Sequence, residues 1–195
     1  MKKYFSLIFL TLFLSFYISS AEILKYKTYV KGLFTGSIYF KVGKDRLEVK
    51  GETQGLARFL YKYNFLFIAY KKTYVLYEKE GKKEKIYRNE DIQKKKPWLP
   101  LLAHFFISDK ENFKKLNGKS IKLNDNIIDI LIEENKKEIV YIFKPRKGKT
   151  KKVKLFVRKG EKYPYKIELY GKLEIRLKLK SIEPDPEEEK KNIDK

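Results

Sequence analysis

The side chains that most often carry enzymatic chemistry are scarce in this chain. It has a single histidine, His104, and no cysteine, which excludes a cysteine nucleophile, cysteine-ligated zinc and iron–sulfur clusters. His104 stands in the apolar run Pro100–Phe106 (PLLAHFF), which favours a hydrogen-bonded core histidine over a catalytic one. The sequence has no G-x-S-x-G elbow, phosphate-binding glycine loop or metal-ligand spacing. It therefore predicts a protein that is not an enzyme and uses no cofactor. A glycosidase that uses two carboxylates is the exception, because its sign is the distance between the two carboxyl groups in space, which the sequence does not give.

Aromatic side chains are better candidates for binding than for catalysis. The chain has 14 Phe, 15 Tyr and one Trp. Trp98 stands between Pro97 and Pro100, where it either closes one end of the fold or forms an amphipathic lip at a ligand entrance. The predicted ligand contacts are Phe34, Ile38, Trp98, Phe105 and Phe106.

The charge balance is strongly basic, with 46 Lys and Arg against 25 Asp and Glu and a net charge of +21. The densest cluster is RKGKTKK at residues 146–152, which predicts a solvated hairpin loop or a surface that contacts anions. The candidate anion contacts are Arg146, Lys147, Lys149, Lys151 and Lys152. A bias toward lysine-rich composition is the alternative explanation. Nucleic acid is not a predicted partner, because clustered arginines and a reader motif are absent.

The N-terminus has the three parts of a secretory signal peptide. A basic start (Met1–Lys3) precedes an uncharged apolar run over 4–18, and Ser19-Ser20-Ala21 supplies small residues before a cut. The apolar run is shorter than the ~20 residues of a membrane-spanning helix. We therefore predict a signal peptide at 1–21 and a periplasmic, exported product with no transmembrane span after cleavage.

Period-two alternation of apolar and polar residues dominates the rest of the chain and predicts strands. In the run 173–180, for example, Leu173, Ile175 and Leu177 alternate with charged residues. The pattern predicts an all-β, mainly antiparallel fold of about 10–11 strands, forming a curved sheet or a barrel. Whether the barrel is closed or open is not determined by the pattern.

Two segments depart from the alternation. Residues 97–116 read as a short helical insertion, with prolines near the helix start. Residues 184–195 (PDPEEEKKNIDK) have many acids and few apolar residues, which predicts a disordered acidic tail. The predicted organisation is a single β-rich domain over 22–183 between the signal peptide and this tail.

Several blocks of the sequence resemble one family. The segments that carry the resemblance are Tyr26–Val42 (YKTYVKGLFTGSIYFKV), Thr53–Leu56 (TQGL), Pro100–Phe106 and Lys152–Glu183. Their order and spacing are similar to the domain of unknown function 3108 family of exported bacterial proteins. The resemblance implies export and a β-rich fold. It implies no activity, because the family has none to transfer.

Two functions are compatible with these features. The first is a periplasmic cell-envelope protein that binds or carries an apolar or anionic, lipid-like molecule in its curved sheet. The second is a structural or interaction protein of the envelope with a filled core, acting through a protein partner. An unfilled cavity lined by residues such as Phe34, Ile38 and Phe105 would favour the first, and an exposed apolar patch or strand edge the second.

Overall fold

The described part of the chain forms one antiparallel sheet of twelve strands. The computed structural model describes residues 21–60, 62–71, 73–108, 113–123 and 126–186. The strands are β1 (Glu22–Val30), β2 (Leu33–Val42), β3 (Arg46–Thr53), β4 (Tyr63–Tyr70), β5 (Thr73–Glu80), β6 (Lys83–Arg88), β7 (Ser120–Leu123), β8 (Asn126–Glu134), β9 (Glu138–Pro145), β10 (Lys152–Arg158), β11 (Lys166–Tyr170) and β12 (Glu174–Pro184). The helices are α1 (Leu56–Leu60), α2 (Asn89–Lys95) and α3 (Trp98–Ile107).

The sheet is two meanders joined in the middle. Its strand order is β6-β5-β4-β3-β2-β1-β12-β11-β10-β9-β8-β7, so the first and last strands pair with each other and Val30 lies opposite Ile175. The predicted all-β fold is confirmed, and the sheet is curved and unclosed, with β6 and β7 as its edges. The twelve strands exceed the predicted 10–11, because every short alternating run pairs with its neighbour.

The core lies on the concave face, and strand alternation puts it there. In β10, Val153, Leu155 and Val157 are buried, whereas Lys154 and Phe156 between them are only half-buried. The same parity buries Phe40 in β2 and Phe67 in β4. One face of each strand therefore builds a continuous apolar surface that needs a cover.

Helix α3 supplies that cover. The chain leaves the sheet at edge strand β6, crosses through α2 and α3, and re-enters at the opposite edge, β7. Nearly every side chain of α3 is buried, as expected of a helix that is apolar all round. Pro97 and Pro100 fall at its start, where a missing backbone N–H costs no helical hydrogen bond. The predicted helical insertion at 97–116 matches α3 over its first half. No helix in the described ranges is both long enough and apolar enough to span a bilayer.

Helix α2 was not predicted from the sequence, which indicated a helical segment at 97–116. Ile92 is fully buried and is the single apolar residue among the seven of this helix, so the apolar signal is weak. Glu90 and Asp91 in its first turn and Lys94 and Lys95 in its last turn match the helix dipole.

The C-terminal end of the sheet reaches into the predicted tail. Strand β12 ends at Pro184, and the Asp185 carboxylate, 2% exposed, lies 2.7 Å from Lys41 Nζ. Asp185 N–H also donates to the Ala21 carbonyl. Pro184 and Asp185, the first residues of the predicted tail, thus extend the pairing of β12 with the start of β1. The predicted signal peptide, apart from Ala21, and the tail from residue 187 lie outside the described residues.

Candidate ligand-binding site

Two cavities open beside α3, with volumes of about 740 and 680 Å³. The smaller is the stronger candidate for ligand binding, because its wall combines apolar side chains with three lysines. The 680 Å³ cavity lies on the concave face, between the central strands and the start of α3. Its size falls within the roughly 300–1,000 Å³ typical of small-molecule sites. Its main apolar wall is formed by Val30, Ile38, Phe65, Trp98, Leu169 and Ile175.

Two glycines shape the floor of this cavity. A Cβ on Gly36 would lie 2.1 Å from the Glu52 carbonyl oxygen, so strands β2 and β3 approach closely there only because the side chain is absent. A Cβ on Gly51 would lie 2.1 Å from a ring carbon of Phe65. Gly51 therefore lets the Phe65 ring lie down over the neighbouring strand, and the space above the ring stays open.

Trp98 forms the wall of the cavity on the helix side. It is the first residue of α3, is 9% exposed and meets the Phe65 ring edge-on at 6.2 Å between centroids. The preceding Pro97 places the indole at the helix start, next to the sheet. Because it is the only tryptophan of the chain, tryptophan fluorescence reports on this position in the molecule.

One side of the cavity carries a compact polar cluster of Tyr63, Glu78 and Lys96. The Tyr63 hydroxyl donates to Glu78 Oε1 at 2.5 Å, and Lys96 Nζ lies 2.5 Å from the same oxygen and also donates to Tyr63. Burial alone would raise the pKa of Glu78. Hydrogen bonds from Lys96 and Tyr63, with the charges of Lys96 and Lys95, outweigh burial and hold that pKa below its usual value. The cluster keeps a lysine at the cavity wall in a fixed position.

Two further lysines line the cavity, Lys95 at the end of α2 and Lys149 in the loop between β9 and β10. Lys95 Nζ lies 3.7 Å from the centre of the Tyr87 ring. The Lys149 backbone packs on Gly171, where a Cβ would come within 2.5 Å of its carbonyl oxygen. That close approach brings a loop from the second meander to the mouth of a cavity built largely by the first.

Two of the five predicted ligand contacts line the 680 Å³ cavity, and the other three lie elsewhere. Ile38 and Trp98 line the 680 Å³ cavity. Phe34 is 43% exposed at the start of β2 and packs against the Tyr29 ring. Phe105 and Phe106 lie deeper along α3 in the aromatic core and are not among the residues that line this cavity.

The five predicted anion contacts are also divided. Arg146 is ion-paired with Asp129 at 2.8 Å, and Lys152 Nζ stacks 4.3 Å above the Tyr170 ring. Lys147 and Lys151 are exposed. Only Lys149 of this cluster lines the cavity.

Sequence reasoning missed several cavity residues, chiefly Phe65, Leu169, Ile175, Lys95 and Lys96. The alternating pattern placed Ile175 on an apolar strand face but did not distinguish a filled core from a cavity wall. A usable signal was Gly51, which pairs with Phe65 across β3 and β4. A glycine opposite an aromatic on a buried face leaves room that other residue pairs would fill.

The other cavity, of about 740 Å³, contains His104 and Ser108. His104 Nδ1 lies 3.3 Å from Ser108 Oγ, and the ring packs on Phe113 with centroids 5.1 Å apart. Within the described ranges no carboxylate contacts His104, so the third member of a Ser–His–Asp triad is not in place there. The same ranges contain no group of three or more metal-ligating side chains.

Burial lowers the pKa of His104 from its ordinary value of 6.5. The unfolded chain therefore binds a proton at higher pH than the folded chain, and acidification through that value favours unfolding. We expect the free energy of unfolding to fall between about pH 8 and about pH 5, the range in which histidine alone among ordinary side chains titrates. Urea titrations at several pH values measure this, and the His104→Gln variant should show a flatter profile. Identical profiles would contradict it.

Comparison with known proteins gives one extended sequence match. A protein of Aquifex aeolicus, described as an uncharacterized protein, is 32% identical over 185 residues, which cover 95% of this chain and 98% of that protein. No family model matches the chain, so its resemblance to the domain of unknown function 3108 family stays a prediction.

Three solved structures show distant similarity. An outer membrane lipoprotein-sorting protein domain from Vibrio parahaemolyticus is 11% identical, with 89% of this chain and 91% of that chain covered and a TM-score of 0.44. A DUF1329 family protein from Desulfovibrio piger is 13% identical, with 91% of each chain covered and a TM-score of 0.39. A LolA superfamily protein from Nitrosomonas europaea is 13% identical, with 89% and 90% covered and a TM-score of 0.32.

Proposed function

We propose that this chain, which belongs to the same family as the Aquifex aeolicus protein, binds an amphipathic molecule with an apolar tail and an anionic head. The observation that carries the proposal is the 680 Å³ cavity of the concave face, apolar inside and flanked by three lysines. In this proposal the apolar tail lies in the cavity, and the head lies against the lysines that line it.

The apolar walls favour a hydrocarbon tail over a polar ligand. Ile38, Phe65 and Trp98 present carbon surface from two strands and the helix start, and Leu169 and Ile175 close the other side. Burying a ligand's apolar surface there contributes about 25 cal/mol per Å². A smaller recess of about 170 Å³ continues from Trp98 toward Leu173, which extends the space for a chain-like molecule.

The lysines favour an anionic head. Lys96 is already paired with Glu78 at 2.5 Å, so its charge is largely neutralised. Its contribution to head binding is mainly that its ammonium group is held in place at the cavity wall. Lys95 and Lys149 reach the cavity from different elements, and neither has an ion pair within the described residues. A carboxylate or phosphate at this wall of the cavity would gain a charge-assisted hydrogen bond from a lysine that it reaches.

The proposal places this binding in the periplasm and without catalysis. The basic, apolar and small-residue pattern of residues 1–21 supports export. The absence of cysteine suits a protein that folds outside the cytoplasm without disulfides. A carrier or sorting role in the cell envelope follows from an amphipathic ligand that needs shielding from water.

A second candidate function is supported by a separate observation. The end of the sheet that carries the cavity also exposes several large apolar side chains, among them Leu56 and Phe59. Such a surface is typical of a protein that acts through an envelope partner. In that case the cavity would hold no ligand.

Quenching of Trp98 fluorescence tests the proposal, with dibromostearate as the probe. This anionic acyl chain carries bromines that quench tryptophan on contact, and Trp98 is the only tryptophan. We expect saturable quenching at one probe per protein. Lys149→Glu should weaken binding by about tenfold (~1.4 kcal/mol), because it replaces attraction at the head by repulsion.

Lys152→Glu is the matched control. It makes the same charge change three residues away, at a side chain that stacks on Tyr170 and does not line the cavity. Its binding should equal that of the unchanged protein. Absence of saturable quenching would refute ligand binding, whereas equal loss in both variants would refute the proposed head position.

A further inference from the structure

Large apolar side chains are exposed together at one end of the molecule. Phe59, Leu56 and Leu33 are 90%, 84% and 73% exposed, the three highest values among the large apolar residues of the described chain. Phe34 and Leu173 are nearly half exposed. Single exposed apolar residues are common on soluble proteins, but a group of them marks an interaction surface.

The strand register shows that these residues lie at the same end. Val30 pairs with both Leu33 and Ile175, so the turn at 31–32 lies beside the turn at 171–173. Gly36 pairs with Thr53, which puts α1 beside the start of β2. We call this the cavity end, formed by residues 31–34, α1, the loop 146–151 and the turn 171–173.

The cavity opens at this end. Ala57 of α1, Lys149 of the loop and Leu173 of the turn all line it. Phe59, Leu56 and Leu33 do not line it, and they are largely exposed to solvent. The three most exposed apolar side chains therefore lie at the same end as the entrance without lining the cavity, whereas Leu173 is both exposed and part of its lining.

The charge of the cavity end is one-sided. Its four segments contain no Asp or Glu, and their cationic residues are Lys31, Arg58, Arg146, Lys147, Lys149, Lys151 and Lys172. Arg146 is paired with Asp129. The others lie in the same segments as the exposed apolar side chains.

We propose that the cavity end docks on an anionic lipid bilayer. Projecting Leu and Phe side chains insert at the boundary between headgroups and acyl chains, and the surrounding lysines contact the anionic headgroups. A folded protein partner is less well matched, because its surface would have to be acidic opposite segments that hold seven Lys and Arg and no Asp or Glu, and apolar opposite the exposed Leu and Phe side chains. Docking in this orientation turns the cavity entrance toward the membrane. The functional meaning of that orientation rests on the proposed ligand binding, whereas docking itself does not.

Binding of the purified chain to lipid vesicles tests docking. Mass spectrometry defines its N-terminus, and all variants are compared in the same form. We expect sedimentation with phosphatidylglycerol vesicles, little with phosphatidylcholine vesicles, and weaker binding as salt increases. Hydrogen exchange should show protection of the α1 amides only when the anionic vesicles are present, which reports on this end even if the N-terminus adds membrane affinity.

Two variants remove the apolar contacts and one serves as a control. Phe59→Asp and Leu33→Asp should each weaken vesicle binding by about tenfold, because a carboxylate replaces an inserted apolar group. Ile182→Asp makes a comparable change at a side chain 48% exposed near the opposite end of β12. It should bind vesicles like the unchanged protein. The melting temperature of each variant checks that it is folded.

The outcomes separate docking from ligand binding. Phe59→Asp should retain dibromostearate quenching of Trp98 in the absence of vesicles, because Phe59 does not line the cavity. Loss of vesicle binding with normal quenching supports docking. Equal vesicle binding by Phe59→Asp and Ile182→Asp, or no α1 protection, overturns it whatever the quenching result. Dimers that Phe59→Asp dissociates without lipid would instead assign this surface to a second copy of the chain and also overturn it.

Discussion

Replacing Phe105 by alanine is expected to lower the free energy of unfolding by about 3–5 kcal/mol, the usual cost of removing a buried phenylalanine. Its side chain has no exposed surface. Its ring lies 5.0 Å from the Tyr141 ring and 5.4 Å from the Phe113 ring, both in edge-on contact. The alanine variant loses these contacts and leaves a void that α3 and the sheet fill only in part.

Urea denaturation followed by circular dichroism measures this effect. Phe34→Ala is the control, because it is the same substitution at a position that is 43% exposed. It should lower the free energy of unfolding by about 1 kcal/mol or less. The sequence predicted both residues as ligand contacts. A cost below about 1 kcal/mol for Phe105→Ala would show that its site collapses without a void or that the aromatic core is loosely packed.

Replacing Gly51 by alanine is expected to weaken dibromostearate binding by about tenfold or more (at least ~1.4 kcal/mol). The new Cβ would lie 2.1 Å from the Phe65 ring. The end of a side chain moves more easily than backbone, so the ring should turn away from the strand and into the cavity. The cost to folding should be about 1–3 kcal/mol, as for other overpacked positions.

Gly43→Ala is the matched control for this variant. A Cβ there would meet its nearest atom, the Arg46 carbonyl oxygen, at an ordinary 3.6 Å, and Gly43 does not line the cavity. Fluorescence titration gives the affinity, and urea denaturation shows that each variant is folded. Unchanged affinity in a folded Gly51→Ala protein would show that the ring moves elsewhere and that this glycine does not keep the cavity open.

Both predictions depend on whether an apolar side chain lies in the filled core or in the cavity wall, and the apolar pattern of the sequence does not distinguish the two. Phe105 and Trp98 stand on the same helix and were equally plausible as ligand contacts. Only the packing of α3 against the sheet shows that Phe105 meets Tyr141 and Phe113 while Trp98 faces open space. The helix start lies near the end of the concave face, where fewer side chains are available to fill the volume.

The charged residues show the same limit. The cluster at 146–152 was visible in the sequence as a candidate anion surface, yet its members separate in space. Lys149 reaches the cavity, whereas Arg146 pairs with Asp129 and Lys152 stacks on Tyr170. Lys95 and Lys96 carried no signal of their own, because the chain is rich in lysine and only their position beside Glu78 and Trp98 distinguishes them.

The sequence by itself determined the fold class, because alternation with a period of two specifies one buried face per strand and short turns specify antiparallel pairing. It also located the helical segment, since α3 lacks alternation and is apolar all round. Only the tertiary structure decided that the sheet stays open, that β1 pairs with β12, and that one end of the concave face is left unfilled. Those features depend on contacts between residues far apart in the chain, whose distances are set by curvature and packing rather than by local pattern.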